Sequence, residues 1–363
     1  MTSPRTLPVS LLLTLLLNVS LIGPAQGLVI LQYHHISEQT PAATSISPAR
    51  FESHLELIAS SGYQVLDLET VAALVRDGEA FPDKAVLITF DDSYDSIYTE
   101  ARPRLQARGW PFVVFANTEP VDLGLAGFLS WQQLAELIAA GAAIANHGVT
   151  HPHMIRHEPG ETQAAWRQRM RDEILGAEQR IEAKLGQSHR VFAYPYGEFN
   201  GELEALLREL DFIAMGQHSG GASAFDPQAL PRFPFGGDYG GDEDFALKLR
   251  ALPMPITRLQ LKRETGERLV DGILPLEVKR PILELELADS RLLERMQCYV
   301  SLQGRAEKHL LGQQRLEFQA PAPLKVGRSR YNCTSPGAEP GRFHWISVPF
   351  IRRHPDGSWA EEP

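Results

Sequence analysis

The chain has 363 residues, 43% of them hydrophobic, which is enough for a full-size core and for two domains. Its formal net charge of −10 argues against nucleic acid, or a strongly anionic polymer, as the main partner, though it leaves room for a local basic groove. With two cysteines, Cys298 and Cys333, and no C-x-x-C spacing, a Cys-based metal site is disfavoured and a single disulfide in an exported protein is the natural reading.

The N-terminus reads as a secretory signal peptide over residues 1–27. Arg5 precedes a Leu-rich apolar run from Leu7 to Ile22, and Pro24-Ala25-Gln26-Gly27 offers small residues at −3 and −1. The run is short for a spanning helix, and no cysteine follows it to carry a lipid anchor. The mature chain is therefore expected to be exported, periplasmic or extracellular, with no membrane span after cleavage.

From Leu28 the pattern alternates. Leu28-Val29-Ile30-Leu31-Gln32-Tyr33 reads as a buried strand that ends in His34 and His35, either of which is placed to line a pocket. Ser47-Pro48 opens a helix through Phe51, Leu55 and Ile58, and Gly62 ends it. A short strand at 63–66, a helix at 67–77, a strand at 85–90, a helix at 97–108 and a strand at 111–116 follow. Ser130 caps a helix over 131–140, and 142–146 is a strand of small residues. A long charged helix over 161–185, a strand at 191–194, a helix at 202–210, a strand at 212–215 and an extended segment at 230–234 complete the series. About seven strand–helix alternations predict an α/β protein with a parallel sheet over residues 28–250. In barrels of this kind, sites form at the C-terminal ends of the strands. Past residue 255 the period becomes two, most clearly at Leu283, Leu285 and Leu287, with Pro, Gly and Ser between segments. That predicts a small all-β, sandwich-like domain over 255–363, in which Cys298 and Cys333 link two strands.

The chemistry gathers at strand ends. Leu87-Ile88-Thr89-Phe90 delivers two adjacent carboxylates, Asp91 and Asp92. Neighbouring side chains on an extended chain point to opposite sides, so the two are expected to divide the work, one holding a metal and one handling a proton. His147 and His151 are four apart, a spacing that brings two imidazoles to one face. Two imidazoles and a carboxylate with an open position form a common catalytic zinc set. Phe192-Ala193-Tyr194-Pro195-Tyr196-Gly197 ends a strand in a turn that Pro195 and Gly197 make rigid and tight.

In this order the three pieces resemble the polysaccharide deacetylase family with the NodB-homology fold, carbohydrate esterase family 4. The family's T-F-D-D stands as Thr89-Phe90-Asp91-Asp92, its H-[ST]-x-x-H matches His147 and His151, and its R-x-P-[YF] aligns on Ala193-Tyr194-Pro195-Tyr196. The resemblance implies a distorted (β/α)7 barrel holding one divalent metal, Zn2+ first and Co2+, Ni2+ or Fe2+ as alternatives. Asp92, His147 and His151 would be the ligands, and Asp91 the base acting on a metal-bound water. The Tyr196 backbone N–H would face the oxyanion.

Three departures stand out. Gly148 replaces the Ser/Thr after the first histidine. Ala193 stands where the family's arginine orients the base, and Arg232 on the last extended segment is the candidate to replace it. The family's late L-x-H motif, which supplies the general acid, has its nearest match in Gly216-Gln217-His218, which makes His218 the candidate acid. These departures resemble the export-pathway deacetylases of the poly-N-acetylglucosamine type. The expected activity is hydrolysis of N-acetyl groups on a hexosamine-containing glycan. An O-acetyl esterase of the xylan type and a non-catalytic glycan-binding envelope protein are the competing readings.

Overall fold

The computed structural model describes residues 27–361; the expected signal peptide, but for Gly27, lies outside the described residues. The α/β half is built on seven parallel strands: β1 (Leu28–Tyr33), β2 (Ala85–Asp91), β3 (Phe112–Ala116), β4 (Ala142–Asn146), β5 (Val191–Ala193), β6 (Ile213–Met215) and β7 (Phe233–Pro234). They are ordered β7-β1-β2-β3-β4-β5-β6, and Gln64–Val65 adds to the start of β2. Every residue of β1 and β2 is buried, as strands covered on both faces require, which explains their near-continuous apolar runs.

The sheet curls round on itself. Leu230 donates to the carbonyl of Ala214 (2.9 Å) and accepts from the N–H of Gly216 (2.9 Å) beside β6. Three residues later Phe233 pairs with Leu31 of β1. Segment 230–234 thus joins the last strand to the first. The alternation predicts the parallel sheet, and its curl is the distorted (β/α) barrel that the resemblance implies.

Strand period then decides which side chains lie inside the barrel. Leu28, Ile30, Leu87, Val113, Ala145, Val191 and Met215 share one core, whereas Val29, Leu31, Val86, Ile88 and Val114 pack in another, with the helix Pro48–Ser60. By the same parity Gln32, Thr89 and Asp91 continue the face of Leu28, Ile30 and Leu87. The apolar interior therefore ends in a polar layer at the C-terminal end of the strands.

The helices follow their caps, with two adjustments. The long helix runs Gln163–Leu185, because Thr162 rather than Glu161 accepts from the N–H of Ala165 at its start. The helix expected over 97–108 opens as a wider π turn, Ile97–Ala101, before the α-helix Arg102–Arg108. Pro103 has no N–H to return to the preceding turn, which accounts for the change of pitch.

The C-terminal β unit has two sheets. One contains β8 (Ala251–Pro253), β10 (Ile273–Leu274), β12 (Gln297–Val300), β13 (Gly304–Arg305), β16 (Gly327–Pro336) and β17 (Phe343–Arg352). The other contains β9 (Ile256–Lys262), β11 (Ile282–Leu287), β14 (Glu307–Leu310) and β15 (Arg315–Gln319). Leu283, Leu285 and Leu287 pack with Phe318, Tyr331, Val348 and Phe350 in one core between them. Cys298 and Cys333 face each other in register on β12 and β16 and form a disulfide.

The β unit lies directly on the barrel. The N–H of Gly221 donates to the carbonyl of Trp345 (3.2 Å), and the rings of Phe233 and Trp345 meet edge to face at 5.2 Å. A Cβ on Gly221 would lie 2.3 Å from the backbone of Leu252, so only glycine fits there.

Candidate metal centre and active-site cleft

Strand β2 ends at Asp91, and the next two residues adopt left-handed backbone, with φ 72° at Asp92 and 56° at Ser93. Such angles are uncommon outside glycine and gather at functional sites. Here they turn the chain out of the strand, so that Asp91 stays with the barrel interior while Asp92 joins the histidines. Strand β4 delivers these in the same way. The N–H of His147 donates to the carbonyl of Ala116 (3.0 Å), and His151 sits at φ 57°.

The loop between the histidines is held without the family's hydroxyl. Asn146 Oδ1 accepts from the N–H of Gly148 (2.9 Å), while Asn146 Nδ2 donates to the carbonyl of Ile174 (2.8 Å) and to Glu178 (3.0 Å). Gly148 has φ 84°, and a Cβ there would lie 3.2 Å from Glu173 Oε1. That carboxylate accepts instead from the backbone N–H and the hydroxyl of Thr150.

His147 Nε2 and His151 Nε2 each lie 3.3 Å from Asp92 Oδ1. One ligand atom from each of the three residues falls within 4.8 Å of the others. His147 Nδ1 donates to the carbonyl of Ala193 (2.8 Å), which leaves a lone pair on Nε2. Asp92 Oδ1 and His147 Nε2 are both buried and find no hydrogen-bond partner among the described residues. A carboxylate oxygen and imidazole lone pairs turned toward one point suit a cation, and the donor set is one that divalent zinc takes.

Burial opposes a charge on His147, but Asp91 and Asp92 overcome it and raise its pKa, so a cation taken up there displaces a proton from Nε2. Burial opposes the Asp92 charge, yet His147 and the neighbouring histidines hold its carboxyl well below the usual range. Burial, then His147, push His151 down to about 4, so its imidazole is neutral and fit to ligate.

Asp91 has other company. It is wholly buried. Arg232 Nη1 donates to Oδ1 (2.7 Å) and Nη2 to Oδ2 (2.8 Å), a two-point fork, and Gln32 Nε2 donates to Oδ2 (2.7 Å). Arg232 is itself wholly buried and anchored through Nε to the carbonyl of Gly216 (2.8 Å). Burial opposes the Asp91 charge, but Arg232 overcomes it and keeps the carboxyl below its ordinary pKa. The structure thus puts Arg232 against the carboxylate that Ala193 cannot reach.

Tyr196 lies on the tight turn after β5, at φ 58°. Its ring stacks on His153 (3.9 Å between centroids) and lies 4.5 Å from that of His151. Beside it, Glu198 is buried and accepts from His153 Nδ1 (2.9 Å). Asp92, His151 and Tyr196 line a cleft of about 900 Å3, together with His34, Tyr239 and Trp359.

His218 is not brought to this cluster. Its ring packs near Phe199 in a second cavity, between the barrel and the β unit, and it is Gln217 that lines the cleft with Asp92 and His151. Burial, then Arg330, push His218 down to about 3, so it is neutral where a general acid must carry a proton. His218 lies three residues past the end of β6, and its side chain lines the cavity that the barrel shares with the β unit. His35 stacks on Tyr94 (3.6 Å), so of the two N-terminal histidines it is His34 that lines the cleft.

Sequence reasoning missed Gln32, Glu198 and Arg328. Gln32 carried a signal, a lone polar residue continuing the inward face of Leu28 and Ile30. Glu198 and Arg328 carried none, since their partners lie on another turn and in another sheet.

Residues 78–215 match the polysaccharide deacetylase family. They contain Asp91, Asp92, His147, His151 and Tyr196, whereas His34, Arg232 and Arg328 fall outside them. The chain is 26% identical over 247 residues to the poly-beta-1,6-N-acetyl-D-glucosamine N-deacetylase of Escherichia coli (strain K12), covering 58% of this chain and 36% of that protein. It is 23% identical over 214 residues to the enzyme of the same name from Staphylococcus aureus (strain MSSA476), covering 57% and 72%. The chain therefore spans about a third of the length of the E. coli relative.

Among solved structures, the deacetylase PplD of Streptococcus pyogenes superposes with a TM-score of 0.56 at 23% identity, over 62% of this chain and 99% of that one. IcaB from Ammonifex degensii superposes at 0.55 and 23%, over 62% and 97%. These likenesses bear on the fold. The segment that matches the polysaccharide deacetylase family carries the paired aspartates and both histidines at the open end of the curled sheet, so what this chain shares with that family includes the candidate site.

Proposed function

We propose that this chain is a hydrolase that removes N-acetyl groups from a hexosamine-containing polysaccharide of the poly-N-acetylglucosamine type, with 28–250 as its catalytic domain. The observation that carries the reading is the convergence of Asp92, His147 and His151 next to the buried Asp91–Arg232 pair, where Asp92 and His151 open onto a cleft of about 900 Å3. Asp92, His147 and His151 would hold one divalent cation, Zn2+ first and Co2+, Ni2+ or Fe2+ as alternatives. When bound, such an ion polarises an acetamide carbonyl and makes water acidic enough to attack it at neutral pH.

The rest of the work belongs to side chains and backbone. Asp91, kept ionised and fixed by Arg232 and Gln32, takes the proton from the attacking water. The Tyr196 N–H donates to the carbonyl oxygen as charge develops on it. The amine leaves only with a proton. His34 is assigned to give it, because it lines the same cleft as Asp92 whereas His218 does not. The C–N bond breaks as the new C–O bond is kept, giving acetate and a free amino sugar. The signal-peptide pattern supports an exported protein acting on glycan outside the cytoplasm.

Acetate release from β-1,6- and β-1,4-linked N-acetylglucosamine oligomers and from O-acetylated xylan, with metal analysis of the same protein, tests the reading. Release from a β-1,6 oligomer with one metal per chain is expected. Release from xylan alone would make it an esterase, and release from none would leave a binding protein.

A further inference from the structure

The turn that carries Tyr196 is strained and needs holding. Tyr196 (φ 58°, ψ 3°) and Gly197 (φ 66°) are both left-handed, and only the second is a residue that adopts such angles readily. On one side the turn is jammed, since a Cβ on Gly197 would lie 2.5 Å from the side chain of Gln217. On the other side the contact comes from the β unit. Arg328, on strand β16, donates through Nη1 to the carbonyl of Tyr196 (2.9 Å), and its Nη2 lies 3.3 Å from Glu198 Oε1.

Glu198 is a firm anchor. Its side chain is 2% exposed, and it also holds His153 Nδ1 at 2.9 Å and faces Arg156 at 3.5 Å. One guanidinium therefore grips the turn at two points two residues apart, and it lies 6.0 Å from the Tyr196 ring centroid. A planar fork suits this geometry better than an ammonium, which offers a point charge.

We propose that Arg328 is a positioning residue for the reaction. It holds the 195–198 turn in the form that presents Tyr196 to the reacting acetamide, so the β unit is part of the active site rather than an independent module. This rests on the deacetylase reading for its catalytic consequence, but not for its structural one. Arg328 lies outside the residues that match the family, and its partner Tyr196 lies inside them.

The test compares the full chain with Arg328→Ala and Arg328→Lys. Hydrogen–deuterium exchange of the peptide spanning 195–198 is read beside kcat and KM for acetate release from a β-1,6-linked N-acetylglucosamine pentamer. Arg328→Ala is expected to speed exchange in that peptide at least about 10-fold, and to lower kcat about 10- to 100-fold with KM within about threefold, since small misplacements of a positioned group cost rates of this size. Metal content and melting temperature are expected to stay at wild-type values, with Arg328→Lys intermediate in both exchange and kcat. Unchanged exchange over 195–198, or a kcat loss matched by loss of metal, would overturn the proposal. If Arg328→Ala does not fold, Arg328→Gln carries the same comparison. A wild type that releases no acetate sinks the deacetylase reading, while the exchange result still decides whether Arg328 holds the turn.

Discussion

Arg232 is a wholly buried guanidinium facing a wholly buried carboxylate, and neither can be removed alone without leaving a charge in the interior. Breaking such a pair typically costs about 3–5 kcal/mol, more than the pair itself contributes. Arg232→Ala is therefore expected to lower the unfolding free energy by roughly that amount in urea titration, and to abolish turnover in whatever folded protein remains. Arg232→Lys is expected to fold better and still turn over poorly, because an ammonium cannot fork across both oxygens.

A half-buried acid gives a pH signature. Burial, then Asp226 and Asp271, push Glu204 from 4.5 up to about 8. Between those values the folded chain keeps a proton that the unfolded chain has released. The Glu204 contribution is thus complete below pH 4.5 and fades as pH rises toward 8. Glu204→Gln is expected to raise the melting temperature relative to wild type at pH 9 and not at pH 5. Equal shifts at both would contradict the assignment. At this scale the meeting of Asp92, His147 and His151 was legible, because all three lie in short motifs. Support from Gln32 and Glu198 was not, since each depends on a partner brought close only by the curl of the sheet or by the turn after β5.

At the scale of elements, strand exits carry the site. β2, β4 and β5 all lie in the curled sheet, and each is followed by residues forced into left-handed backbone: Asp92, His151 and Tyr196. Gly148, between the histidines, is part of the same device, and it turns an apparent loss of the family's hydroxyl into a fit against Glu173. Gly148→Ala is expected to cost about 1–2 kcal/mol from the left-handed backbone alone. It is also expected to reduce bound metal per chain, measured by elemental analysis after dialysis; full metal content would show that the loop tolerates a Cβ. The strand alternation was readable because buried parallel strands are written as apolar runs. The failure at His218 is of the same origin. A motif match fixes position along the chain but not the cavity that the side chain enters, and here that cavity is the one shared with the β unit.

At the scale of the whole molecule, the barrel and the β unit share more than a linker. β8, directly after the helix Asp242–Leu249, pairs with β17, Gly221 fits against Leu252, and Arg328 reaches the Tyr196 turn. The change from α/β to all-β was visible as a change of period near residue 255, and the disulfide was foreseeable from two cysteines in one β-rich segment. The contact between the halves was not, because Tyr196 and Arg328 stand 132 residues apart and neither sequence neighbourhood names the other.

The central claim is that the Asp91–Asp92 strand tip divides its labour, with one carboxylate for the metal and one for the proton. The most direct measurement is acetate release from a β-1,6-linked N-acetylglucosamine pentamer by wild type and Asp91→Asn, each assayed for bound metal. The account predicts that Asp91→Asn keeps one metal per chain and loses at least about 100-fold in kcat. Full turnover by Asp91→Asn, or loss of the metal with the base, would contradict it.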